Sequence, residues 1–117
     1  MSNATQRAAL IAAADGVTVG DFTVHAYDRR PATMKPGDAW VRWRGAERAD
    51  GFAFINTWAV IVIVSGEEQV ADDMADQLAY ALAGALEPVM FIDAITPVAQ
   101  ATSAGDMNAI QIMGKSE

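Results

Sequence analysis

Seven consecutive apolar residues, Trp58-Ala59-Val60-Ile61-Val62-Ile63-Val64, constrain this chain more than any other feature of it. Val and Ile lose rotamer freedom in a helix and pack well on a pleat, so the run predicts a strand. Neither alternate set of side chains is polar, so that strand must be buried on both faces. It is expected from Phe52 to Val64, the most apolar stretch of the sequence. Ser65-Gly66-Glu67-Glu68 then has the pattern of a capping box, Ser65 accepting from the amide of Glu68 while the Glu68 carboxylate reaches back. A helix over residues 65 to 87 follows, with Val70, Met74, Leu78, Ala81, Leu82 and Ala85 as its apolar stripe and Pro88 as its stop. One helix covers one face of a sheet. Either Ala59, Ile61 and Ile63 or Trp58, Val60, Val62 and Val64 therefore need another cover, to which a neighbouring subunit would contribute. Each such residue is worth roughly 1.5 to 3 kcal/mol when buried, and an exposed stripe of them would mark an interface.

The remaining elements follow from shorter-range signals. Residues 3 to 15 read as a short helix capped by Asn3, with Gln6 at the box position, Leu10, Ile11 and Ala14 on one face, and Gly16 closing it. Val17 to Tyr27 reads as a strand that sets Phe22, Val24 and Ala26 against Thr23, His25 and Tyr27. Pro31 and Pro36-Gly37 make residues 28 to 38 a loop, too poor in apolar residues to bury itself. Ala39 to Arg44 is a half-exposed strand with Trp40, Arg42 and Arg44 on one side and Val41 and Trp43 on the other, and Gly45 to Gly51 is a turn. Val89 to Thr96 is another strand, Pro97 marks an edge or bulge, Ala104-Gly105-Asp106 turns the chain, and Asn108 to Met113 closes the fold with Ile110 and Ile112 on one face. The order α-β-β-β-α-β-β, without repeat or linker, specifies an α+β fold: one domain over residues 1–117, a mixed or antiparallel sheet of four to five strands packed with two helices.

Composition removes whole classes of chemistry. Among 117 residues there is no Cys and one His, so thiolate nucleophiles, thiolate metal cages and two-His sites are excluded, and with them most hydrolytic and redox chemistry. The opening residues Met1-Ser2-Asn3-Ala4-Thr5-Gln6-Arg7 lack the basic start of a secretory signal, and no apolar run reaches membrane-spanning length, so synthesis and use in a cytoplasm are expected. The net charge of −7 is unevenly placed: residues 29 to 48 carry Arg29, Arg30, Lys35, Arg42, Arg44 and Arg48 against Asp38 and Glu47, or +4, which leaves −11 for the rest. A chain divided in this way can set a basic patch against the acidic flank of its own twin.

Candidate sites are weighed against simpler roles. Asp73 and Asp76, three residues apart, could share a hard cation, but with Asp72 they also suit the N-terminal dipole and wet face of a helix, so no metal or cofactor is expected. His25 has no Ser, Cys or second carboxylate near it in sequence and reads as an outward or interface strand residue without chemistry. The basic segment with Trp40 and Trp43 between arginines has the composition of a nucleic-acid footprint, yet Arg and Trp are equally the residues enriched at protein interfaces, and the chain as a whole is acidic. Protein contact is the expectation. The interface set is Arg29, Arg30, Lys35, Trp40, Arg42, Trp43, Arg44 and Arg48 on the basic side, and Glu68, Asp72, Asp73 and Asp76 on the acidic side. A small α+β enzyme or ligand-binding module with a pocket lined by Trp58, Met74 and Phe91 is a rival, opposed by the lack of convergent polar groups in so apolar a core.

Pro36-Gly37-Asp38-Ala39-Trp40, then Glu47-Arg48-Ala49-Asp50-Gly51, the long apolar strand and the acidic helix, preceded by Tyr27-Asp28-Arg29-Arg30-Pro31 and closed by Thr96-Pro97-Val98 and Ala109-Ile110-Gln111-Ile112, give the chain its family likeness. Over nearly its whole length it resembles the small tail terminator (tail completion) proteins of long-tailed bacteriophages. What that resemblance implies is a structural virion protein of the tail and neck, made in the host cytoplasm. Its copies form a ring, typically of six, on the head-proximal end of the tail tube, halt tube growth and dock the tail to the head connector. The implied partners are further copies of itself, the tail tube protein and the connector or stopper protein; DNA passes through the ring without specific binding, and no membrane is involved. A head-closure or stopper protein of the same neck is the nearest alternative.

Overall fold

The computed structural model of the chain describes residues 2–51, 53–103 and 105–117, and of Glu68 the backbone alone. Trp58 to Val64 lie at the heart of β5 (Phe54–Ser65), and all seven are buried. The strand occupies the centre of a five-stranded sheet of order β3-β4-β5-β7-β6, formed with β3 (His25–Tyr27), β4 (Asp38–Arg48), β6 (Phe91–Thr102) and β7 (Gly105–Ser116). β4, β5, β7 and β6 are antiparallel neighbours, and β3 runs parallel to β4. Helices α1 (Asn3–Ala14) and α2 (Glu68–Leu86) complete an α+β fold. The expected strand start at Phe52 and the turn residue Ala104 lie outside the described residues.

Both helices pack on the same face. Trp58, Val60, Val62 and Val64 meet Leu10, Ala14, Leu78, Leu82 and Leu86 there, with Ile110 and Ile112 from β7 beside them. The stripe of α2 is rotated slightly from its expected position: Ala71 and Leu86 are buried, whereas Val70 is exposed. The capping box is also absent in the described residues. Ser65 Oγ accepts from the Glu67 amide at 3.0 Å, and the N-cap is Glu67, which makes no side-chain cap bond. At α1 the cap is Ser2 rather than Asn3, its Oγ accepting from the Thr5 amide at 3.2 Å. Gln6 does not serve a capping box; it is buried, and its Nε2 donates to the Val89 carbonyl at 2.8 Å, tying α1 to the segment that follows α2.

The face carrying Ala59, Ile61 and Ile63 has no helix, yet all three are buried within the single chain. No neighbouring subunit is needed to cover them. Parallel neighbours need a crossover, and the segment between β3 and β4, residues 28 to 37, supplies it as a strap laid over this face. Met34 packs there with Trp40, Ile61, Ile63 and Ala109, and Arg30 Nη2 donates to the Ala101 carbonyl on β6 at 2.6 Å. A loop read as unable to bury itself thus buries the centre of the sheet. Its return into β4 depends on Gly37, whose φ of +97° is left-handed and where a Cβ would stand 2.5 Å from the Thr23 carbonyl oxygen.

Other expectations change in detail. The strand read over residues 17 to 27 is broken into β1 (Thr18–Val19), β2 (Phe22–Thr23) and β3, because Gly20, at φ +60°, lets the chain turn back on itself. β4 does not end at Arg44. It takes a bulge between Trp43 and Ala46, with Gly45 at φ +114°, and continues to Arg48. Val89 and Met90 belong to the turn after α2, and the last two strands are longer than read. Pro97 falls in β6, an edge strand, where a residue without an N–H is tolerated. The paired strands draw the molecule out to 46 × 27 × 20 Å.

Candidate interaction surfaces

Alternation along β4 divides the basic segment. Arg42 pairs in register with Ala59, so Arg42 and Arg44 stand exposed on the face without helices, with Lys115 of β7 on the same face opposite Thr57. Trp43 pairs with Trp58 and points to the helical side. Beyond the bulge Arg48 pairs with Phe54, its guanidinium carbon 4.9 Å from the ring centroid. The described residues at the far end of the β4–β5 hairpin, 43–51 and 53–57, form an arm that extends beyond the end of β7 at the Asn56–Ser116 pair. On its helical side it carries Trp43, 43% exposed with its Nε1 donating to Asn56 Oδ1 at 3.0 Å, and Phe54, 51% exposed. Trp40, expected at an interface, is core: it is 4% exposed under the strap, because its place in register sets it against Ile61.

The strap holds Arg29, Arg30 and Lys35 at the surface. Arg30 is fastened to Ala101, and the Lys35 backbone amide donates to Asp38 Oδ2 at 3.1 Å. Asp38 Oδ1 is buried without a partner. On the opposite side of the molecule, Glu67, Asp72, Asp73, Asp76 and Glu87 are exposed on and around α2; the Glu68 side chain lies outside the described residues. The open sheet face is thus mainly basic and the helical face mainly acidic, although Lys115 is paired with Asp93 at 3.8 Å, Glu47 lies on the open face and Arg48 on the helical side.

Because α2 lies over β5 and β7, it leaves a groove against the edge strand β6. The groove has a volume of about 550 Å³, with Ile95, Pro97 and Ile110 as its floor, Ala75 and Ala79 along the helix, and Asp72, Asp76 and Tyr80 at its rim. Tyr80 is 80% exposed. The pocket expected at Trp58, Met74 and Phe91 does not form, since Phe91 lies on the other face of the sheet from the core cluster that holds Trp58 and Met74. Trp58 is fully buried with its Nε1 bonded to Ser116 Oγ, and Phe91 pairs with Lys115 on the opposite face of the sheet, 73% exposed.

Several of these residues escaped the sequence reading. Arg7 anchors α1 by donating from Nη1 to the carbonyls of Asp28 and Val41 while its guanidinium lies 5.5 Å from the Trp58 ring centroid. No local pattern marks such a contact. Tyr80 carried a weak signal, a lone aromatic among the alanines of α2. Phe54 and Ile95 carried none, because their exposure depends on where neighbouring strands and the helix stop. His25 is exposed on β3, as expected. Among the described residues, no group of three His, Asp or Glu side chains is placed to hold a metal ion, and no helix is long and apolar enough to cross a membrane. No protein-family model and no curated protein matches the chain.

Proposed function

We propose that this chain is a structural subunit of a phage neck: a ring-forming tail terminator that caps the head-proximal end of the tail tube, ends its polymerisation and docks the tail to the head connector without turning over a substrate. The observation that carries this reading is the segregation of charge by face. Arg29, Arg30, Lys35, Arg42 and Arg44 stand on the strap and open sheet side, where Lys115 is paired with Asp93, and Glu67, Asp72, Asp73 and Asp76 on the helical side. A head-to-tail ring requires two different complementary surfaces on each copy, and opposite charge on opposite faces is one way of making them. The likeness of the sequence to tail terminators supplies the virion context. The arm, with its exposed aromatic residues and arginines, adds the residue types that dominate binding energy at protein interfaces.

The test is the mass of the purified chain alone and together with assembling tail tube protein. The expected results are a ring-sized oligomer and tubes that stop lengthening once the chain is added. Tubes that keep growing, with the chain left unbound in solution, would refute the terminator assignment.

A further inference from the structure

We infer that the groove between α2 and β6 receives the β4–β5 arm of a second copy of this chain. The groove offers an apolar floor of Ile95, Pro97 and Ile110 beneath an acidic rim of Asp72 and Asp76. It therefore suits an occupant with an apolar ring and a cation side by side. Arg48 stacked over Phe54 is such a pair, already assembled across the arm and exposed. The groove's volume of about 550 Å³ leaves room for a ring and the neighbouring strand edge.

A copy cannot fill its own groove. Ile110 in the floor lies opposite Val62, and Phe54 is eight residues away along β5, a distance of about 26 Å at the rise of a strand. Two-fold pairings of like surfaces are disfavoured by like charge: groove against groove opposes Asp72 and Asp76 to themselves, and arm against arm opposes Arg48 to Arg48. A two-fold pair that exchanges arms reciprocally satisfies the same contact; the head-to-tail form rests on the ring proposed above, and a wild type that stops at a dimer would overturn it. In that form each copy presents one arm and accepts one, and the contact propagates head to tail until it closes as a ring or runs on as a filament. This contact specifies the self-association that the ring reading leaves open and requires no virion partner.

Sedimentation velocity on the full chain and three variants tests it. Wild type is expected to exceed a dimer. The arm variant Arg48→Ala with Phe54→Ala, and the groove variant Asp72→Arg with Asp76→Arg, are each expected to be monomeric with unchanged helical circular dichroism. Mixed in equal amounts they should form dimers and nothing larger, since only one productive contact is left per pair. A third chain that combines Arg48→Glu with Asp72→Arg and Asp76→Arg keeps Phe54, and should recover higher oligomers through the reversed charge pair. If arm and groove variants both retain the wild-type mass, copies associate through another surface and this inference is wrong, while the ring reading stands. A wild-type chain that stays monomeric at its highest soluble concentration also overturns it. Oligomers that obey these rules but ignore tail tubes would uphold the contact and sink the terminator assignment.

Discussion

Trp43 and Trp58 face each other across β4 and β5 on the same side of the sheet, yet one is 43% exposed and the other is fully buried. The pair marks a boundary. On the Val64 side of it the two strands lie between the helices and the strap and form the core; on the Phe54 side they run past the helices and, beyond the Asn56–Ser116 pair, past β7 as well, as the arm. Residue type does not place this boundary, because both positions hold tryptophan. What places it is where α1, α2 and the strap end, and therefore which stretch of a continuous hairpin has anything packed against it.

Removing the buried partner should have the largest effect on stability. Trp58→Ala empties the helix-side core, frees Ser116 Oγ and takes away the ring beneath Arg7; a loss of about 3–5 kcal/mol is expected in chemical denaturation. A loss below about 1 kcal/mol would mean that the core collapses onto the space. Gly37→Ala tests whether the strap belongs to the core or merely decorates it. Its left-handed φ and the contact with the Thr23 carbonyl predict a cost of at least about 2 kcal/mol, with Met34 becoming accessible to oxidation as the strap lifts. A stability equal to wild type would show that the strap end can shift at little cost. Gln6→Ala strands the Val89 carbonyl and loosens α1, for about 1–3 kcal/mol, read as faster amide exchange in α1 than in β5. The smallest effect belongs to the arm. Trp43→Ala should change stability by less than about 1 kcal/mol, since the site is already open to water. Should Trp43→Ala cost as much as Trp58→Ala, the boundary between core and arm drawn here would be misplaced.

Much of the core side of that boundary was legible in the sequence. The unbroken apolar run, the three- and four-residue spacing in α2 and the alternation Trp40/Arg42/Arg44 against Val41/Trp43 are local periodicities, and they hold in the structure. The errors arose where a short-range pattern met a competing long-range contact. Ser65 and Glu68 had the spacing of a capping box, but Ser65 bonds instead to Glu67. Gln6 looked like half of another and is used by Val89, eighty-three residues away. Of the candidate interface, the acidic helix and Arg42, Arg44 and Arg48 reach the surface, but Trp40 does not, and Arg48 parts company with Arg42 and Arg44 because Gly45 bulges the strand between them. A bulge reverses the facing of all that follows it, and its position cannot be read from alternation alone.

By itself, the sequence determined that this chain forms a sheet buried at its centre, covers it with an amphipathic helix and segregates its charge along the chain, because each of these follows from the spacing of side chains on a regular backbone. Tertiary structure alone decided that a loop rather than a second copy covers Ile61 and Ile63, that α2 lies over β5 and β7 and leaves a groove against β6, and that the basic strap and the acidic helix lie on opposite faces. Those outcomes depend on distances between residues far apart in the chain, which no local period encodes.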